Sequence, residues 1–176
     1  DNVPAVFRAN ALVALRLIPG AVPSLVGGDA SNVLISGAKG AFVGGGSSHT
    51  VADFGVVSGG YQNAALGANS TIGGGAMNIA YGPQATIGGG YLNSAGMNFG
   101  TGGVGGFQPG TSYDNVYGDV TSGGIANTAR GGGSTVGGGV QNFATGSRSV
   151  IAGGSNNVPS GFWSAVTGGL VNSASG

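Results

Sequence analysis

One spacing constrains this chain more than anything else in it. Gly-Gly-x-x-Asn occurs at Gly59-Gly60/Asn63, Gly74-Gly75/Asn78, Gly89-Gly90/Asn93, Gly123-Gly124/Asn127, Gly138-Gly139/Asn142, Gly153-Gly154/Asn157 and Gly168-Gly169/Asn172, in steps of 15, 15, 34, 15, 15 and 15 residues. Two positions before each doublet stands Val57, Ile72, Ile87, Val136, Ile151 or Val166, with Thr121 the exception. Two positions after the Asn comes alanine (Pro159 excepted), and four after it glycine (Met97 excepted).

A fixed short period is the mark of stacked units that cannot bury an apolar face alone. Fifteen residues are too few for a helical pair but suit one coil of two short strands and tight turns. Glycine supplies turn conformations at positive φ without a Cβ penalty. Asn tolerates the same region and hydrogen-bonds nearby backbone, and stacked coils bring equivalent Asn side chains into a ladder about 4.8 Å apart. The Ile/Val and Ala columns then point inward. Each coil buries roughly one β-branched residue and one methyl, too little for a monomeric core, so identical neighbours are expected to complete it. Val57, Ile72, Ile87, Val136, Ile151 and Val166 are the expected oligomer core. About nine coils would make a stalk on the order of 40 Å long.

Composition narrows the alternatives. Of 176 residues 42 are glycine, but not at every third position, which excludes collagen. Hydrophobic residues make up 40% and charged ones 6%, which argues against disorder. That much glycine disfavours helix. Five Lys or Arg against five Asp give zero net charge, so neither nucleic acid nor an anionic membrane surface is an expected partner. Cysteine is absent, so no disulfide scaffold forms. The apolar stretch from Ala9 to Val26 is interrupted by Arg16, Pro19 and Pro23, and is not expected to insert into a membrane. With no initiator Met or signal-peptide pattern, and with Gly176 on a repeat boundary, the chain reads as a segment of something longer.

The pattern Ile/Val-x-Gly-Gly-x-x-Asn-x-Ala-x-Gly resembles the head repeats of trimeric autotransporter adhesins. Its glycine-doublet form is similar to repeats of phage tail fibres and related bacterial surface proteins, some ending in an endosialidase-type intramolecular chaperone. "ALRLIPGAVPSLVGGDASNVLISGAKGAFVGGG", Ala14 to Gly46, is similar to the strand and irregular first coil that precede such repeats. The resemblance covers about Ala14 to Gly176 and implies an all-β, left-handed parallel β-roll or solenoid of about 15-residue coils, assembled as an intertwined or side-by-side homotrimer. The expected divisions are a lead-in strand and irregular first coil (1–40), coils (41–96), an inserted loop or degenerate coil (97–119), and further coils (120–176).

The 34-residue step accommodates either a coil plus a 19-residue insertion or one degenerate coil around Gly105-Gly106. An insertion is favoured, because no Asn falls in register there. Insertions in repeat proteins map to loops, often on the binding face. Phe99, Phe107, Tyr113 and Tyr117 gather here beside Asp114, Asn115 and Asp119. Rings next to Asp and Asn suit stacking on a sugar or anchoring a protein, which makes Phe99, Phe107, Tyr113, Asp114, Asn115 and Tyr117 candidate receptor contacts. The competing reading is that they cover the oligomer core. Asn63, Asn78, Asn93, Asn127, Asn142, Asn157 and Asn172 are assigned structural, ladder-forming roles.

Catalytic motifs fare poorly. Gly100 to Gly105 fits G-x-G-x-x-G, but in a chain this glycine-rich the match is expected by chance and no strand–helix context follows. Lys39 is followed by glycine, so no phosphate loop forms. His49, with Ser47, Ser48 and Asp53 nearby, stands in the slot that Asn fills in later coils, which makes a turn substitution the better account than a catalytic trio. Asp114 and Asp119 as a glycosidase pair are outweighed by turn-forming roles. One His, no Cys and no Glu leave a metal site without ligands, and no cofactor is expected. Tyr61 and Tyr91 are expected two coils apart on one face, and Trp163 in a turn slot. A flat ice-binding face needs an unbroken Thr column, but Val56, Thr71, Thr86, Val120, Thr135, Val150 and Ala165 break it. The expectation is a non-enzymatic structural or adhesive segment of an extracellular fibre, on a virion tail or a bacterial surface, with a pure spacer as the alternative.

Overall fold

A short antiparallel lead-in starts the structure and hands over to a long parallel stack. The computed structural model describes residues 3–96 and 118–175, and every described element is β. Strand β1 (Ala5–Ala9) turns through Asn10 and Ala11, both at positive φ, into β2 (Leu12–Ile18), which pairs in turn with β3 (Ser24–Gly27). The expected single lead-in strand is therefore a three-stranded meander. β3 then pairs in parallel with Phe42–Val43, and from there the chain forms a β-solenoid of about nine turns.

One coil shows how the sequence closes. Thr71–Ile72 lies in register between Val56–Val57 and Thr86–Ile87, making the first face. The glycine turn at 73–75 leads to a second face held by single bridges, Tyr61 to Ala76 to Tyr91. A corner at Met77-Asn78 leads to the third face, where Ile79–Ala80 pairs with Ala64–Ala65 and Ser94–Ala95. A last turn, 81–85, returns to the first face of the next coil. Strands are two residues long because glycine or a corner residue follows each of them.

The second glycine of each doublet is fixed by stacking. Gly75 has φ +82°, and a Cβ there would lie 2.1 Å from the carbonyl oxygen of Gly90 on the next coil. The left-handed positions, however, are not confined to glycine and asparagine as the composition implied. The residue before each ladder Asn is left-handed whatever its type, including Gln62, Met77, Leu92, Ala126, Gln141 and Val171, whereas the ladder Asn residues themselves have no positive φ. The Asn side chain pins this corner instead, so the residue ahead of it accepts the strained conformation.

That pinning is repetitive. Asn78 Nδ2 donates to Gly74 O (3.0 Å), Gly90 O (2.9 Å) and Asn63 Oδ1 (3.1 Å), while Asn78 N donates to Asn63 Oδ1 (3.0 Å). The ladder continues through Asn93, Asn127, Asn142, Asn157 and Asn172. From Asn78 to Asn157 each carboxamide thus satisfies two carbonyls of glycine turns and one amide of its neighbour in a buried setting, where an unmet polar group would be costly. The last rung, Asn172, is exposed and holds only Gly168 O of the glycine turns.

The inward columns are filled within one chain. Val57, Ile72, Ile87, Val136 and Ile151 are fully buried, Val166 is 7% exposed, and Ala65, Ala80, Ala95, Ala129 and Ala144 are fully buried as well. From Val57 to Ile151 no surface of the Ile/Val column is left for a neighbouring chain to cover, so association along these coils would have to use the outward residues. A coil that is too small alone is sealed by the coils fifteen residues before and after it.

The stack crosses the 34-residue step without an intervening coil. Thr86–Ile87 pairs directly with Val120–Thr121, Ser94–Ala95 with Thr128–Ala129, and Asn127 N donates to Asn93 Oδ1. The described flanks of the step therefore stack as neighbouring coils, and residues 97–117 lie outside the described residues. At this level the inward residues turn polar. Thr121 Oγ1 donates to Ser94 O (3.2 Å), and Asp119 Oδ1 accepts from both N and Oγ of Ser134 (2.7 Å each). Two apolar clusters result, one from Val26 to Ala95 and one from Ala129 to Ile151.

Candidate functional site

Two of the three turns in each coil are dictated by stacking, and the third is not. The glycine turn and the Asn corner repeat from coil to coil. The turn from third face back to first reads Leu66-Gly67-Ala68-Asn69-Ser70, Tyr81-Gly82-Pro83-Gln84-Ala85, Arg130-Gly131-Gly132-Gly133-Ser134, Thr145-Gly146-Ser147-Arg148-Ser149 and Ser160-Gly161-Phe162-Trp163-Ser164. Its glycine is required, since a Cβ on Gly67 would lie 1.9 Å from Gly82 O. Its final Ser or Ala is buried. The two tip residues between them vary freely, because their backbones stack while their side chains leave the coil: Asn69 N donates to Asp53 O, Gln84 N to Ala68 O, Arg148 N to Gly132 O and Trp163 N to Ser147 O.

The long insertion opens at the same tip. Gly118 N reaches Pro83 O at 3.5 Å, which puts Gly118 in the slot of Gln84, and Gly96 holds the slot of Tyr81. The candidate receptor contacts Phe99, Phe107, Tyr113, Asp114, Asn115 and Tyr117 lie outside the described residues. Their point of departure is this edge.

Charge is concentrated at the same edge. Within the coils, the described charged residues Lys39, Asp53, Asp119, Arg130 and Arg148 all fall in this turn, and the exception is Asp29, which takes the second-face slot of the first coil. The outward residues of the first face (Phe42, Val56, Thr71, Thr86, Val120, Thr135, Val150, Ala165), of the second (Ser47, Tyr61, Ala76, Tyr91, Ile125, Val140, Ser155, Leu170) and of the third (Val33, Thr50, Ala64, Ile79, Ser94, Thr128, Phe143, Val158, Ser173) include no charge. Tyr61 and Tyr91 do stand two coils apart on the second face, both exposed.

The other sequence candidates are structural. His49 is fully buried and takes a rung of the Asn ladder: its N donates to Asn32 Oδ1 (3.0 Å), and its Nδ1 accepts from Asn63 N (3.1 Å). Nε2 faces the carbonyls of Gly45 and Gly60 without closing a hydrogen bond of normal geometry. Ser48 engages Ser31, and Asp53 accepts from Lys39 N, so no catalytic trio assembles. Asp119 is buried against Ser134, and the Asp114 proposed to accompany it lies outside the described residues. Among the described residues no cluster of metal-ligating side chains is present, and no helix is long and apolar enough to cross a membrane. A groove of about 690 Å³ lies between β2 and the first coil, where the Arg16 guanidinium holds Asn32 O and fastens the lead-in to the ladder.

His49 gives the stack a pH dependence of known sign. Burial holds its imidazole below the ordinary value, outweighing the carbonyls that favour the charged form. The neutral form is thus preferred in the fold. Its stabilising contribution is complete above about pH 6.5 and declines as pH falls below that, where the unfolded chain takes up the proton first. Thermal midpoints measured at about pH 7.5 and about pH 5 are expected to fall for the native chain and to fall less for His49→Asn. Equal falls would show that His49 does not set the dependence.

Sequence reasoning singled out Trp163 but missed its neighbours. Arg148 lies fifteen residues earlier at the same tip, and its guanidinium carbon sits 5.1 Å from the centre of the Trp163 ring and 5.8 Å from that of Phe162. The period itself, applied to Gly133, Arg148 and Trp163, was the signal that could have found the group. No protein-family model matches the chain, and comparison with curated proteins returned no match.

Proposed function

We propose that this chain is a structural and adhesive segment of a homotrimeric fibre, carried by a phage tail or a bacterial surface, that projects a receptor-binding element. The observation that carries this reading is the segregation of charge. Three outward faces that carry no charge from Phe42 onward among the described residues, and are made of β-branched, aromatic and small residues, suit side-by-side packing of identical chains. One variable, charged edge suits presentation. Residues such as Tyr91, Ile125, Val140 and Leu170 on the second face are exposed in a single chain and would gain from burial in an assembly. The receptor contact is assigned to 97–117, with Phe99, Phe107, Tyr113 and Tyr117 as ring platforms and Asp114 and Asn115 as polar partners. The pattern's resemblance to adhesin heads and tail-fibre repeats supports the same reading, and no catalytic role accompanies it.

Solution mass by light scattering tests it. A trimer is expected, dissociated by one of three outward substitutions: Val150→Lys on the first face, Val140→Lys on the second, or Phe143→Lys on the third. Substituting the inward Ile87 would be uninformative, because it is buried within one chain and its loss would unfold the coil with or without partners. A monomeric native chain would overturn the trimeric fibre reading.

A further inference from the structure

We infer that the tips of two neighbouring coils, Arg148 with Phe162 and Trp163, form a binding site for an acidic saccharide. Phe162 and Trp163 are 61% and 64% exposed, at adjacent positions of one turn, with ring centres 5.8 Å apart and planes at 81°. The Arg148 guanidinium lies against both rings, and the residue is itself exposed. It has no carboxylate partner among the described residues, so its charge is uncompensated.

The fold does not ask for these residues. The equivalent slot holds Phe54, Asn69, Gln84 and Gly133 in other coils, all at positive φ like Arg148 and Trp163, so the scaffold sets the backbone there and leaves the side chain open. Exposing two large rings adds nothing to the core. Two large exposed rings beside a cation, which the scaffold does not need, point to recognition.

Size and chemistry select the ligand. The patch of two rings and one cation is bounded on one side by the preceding tip, Gly132-Gly133, which has no side chains. It matches one or two sugar rings: an apolar pyranose face stacks on indole, and a ring carboxylate meets a planar donor fork. The inference extends the fibre reading by naming a receptor class, but it uses residues apart from 97–117.

Trp163 is the chain's single tryptophan, so its emission reports this site directly. The full chain would be titrated with a sialic-acid-terminated trisaccharide, with a uronic-acid oligosaccharide, and with neutral lactose as comparison. Saturable changes in emission are expected with an acidic sugar and weaker ones with lactose. Arg148→Ala should weaken acidic-sugar binding about tenfold or more and erase the preference over lactose. Phe162→Ser should weaken both kinds of sugar. Trp163→Gly, which the backbone accommodates, should abolish binding measured by calorimetry while leaving the circular dichroism unchanged. No saturable response to either acidic sugar, or an affinity unaltered by Arg148→Ala, would overturn the assignment. Solution mass is unaffected by these variants, so this site can fail while the trimer stands, and the reverse.

Discussion

Asn78→Asp is expected to destabilise the stack by about 3 kcal/mol or more at neutral pH, although the two side chains have nearly the same shape. The aspartate keeps the acceptor that meets Asn93 N but loses every donor. Gly74 O and Gly90 O, each now satisfied by Nδ2, would face a second oxygen, and so would Asn63 Oδ1. Burial and these carbonyls would raise the new carboxyl's pKa. Its protonated form restores one donor, so the damage should shrink as pH falls toward about 4, opposite in sign to the His49 effect. Melting of a stacked array need not be all-or-none, so amide exchange at the neighbouring coils is the sharper probe. Unchanged exchange at Asn93 and Asn63 at neutral pH would mean that the ladder contributes little.

Gly75→Ala should be comparably damaging, by about 3 kcal/mol or more, for a reason of space and backbone together. The methyl would lie 2.1 Å from Gly90 O, 2.7 Å from Gly90 N and 2.9 Å from Asn78 Nδ2, at a residue whose φ is +82°. Backbone of the next coil cannot yield without opening the stack. Gly153→Ala is the matched control: it belongs to the same kind of doublet, but its Cβ would meet nothing within 4 Å and its φ is not positive. The two variants should differ sharply in thermal midpoint. Similar midpoints would show that the coils separate readily, and that the close approach at Gly75 is not what sets the repeat.

Much of this architecture was legible in residue order. The 15-residue step announces a coil, Ile72 and Ala80 announce inward columns, and Asn78 announces a ladder, because each answers to its equivalent one period away. His49 was also placed in its rung by spacing. Other features were not legible. That Met77 or Val171 would adopt a left-handed corner could not be read from its type, since the hydrogen bonds of the next residue impose it. Nor could it be read that Ile87 is sealed by its own chain, since its cover comes from Ile72 and Thr121, one coil on either side.

The sequence by itself determined the period, the parallel stack and the identity of the inward columns, because repetition makes every coil meet a copy of itself. Tertiary structure alone decided which residues share an outer edge. It set Lys39, Asp53, Arg130, Arg148, Phe162, Trp163 and the point where 97–117 departs along one line, and it left the three faces uncharged from Phe42 onward among the described residues. Neighbours on that edge are a full coil apart along the chain, and only closure of the coil brings them side by side.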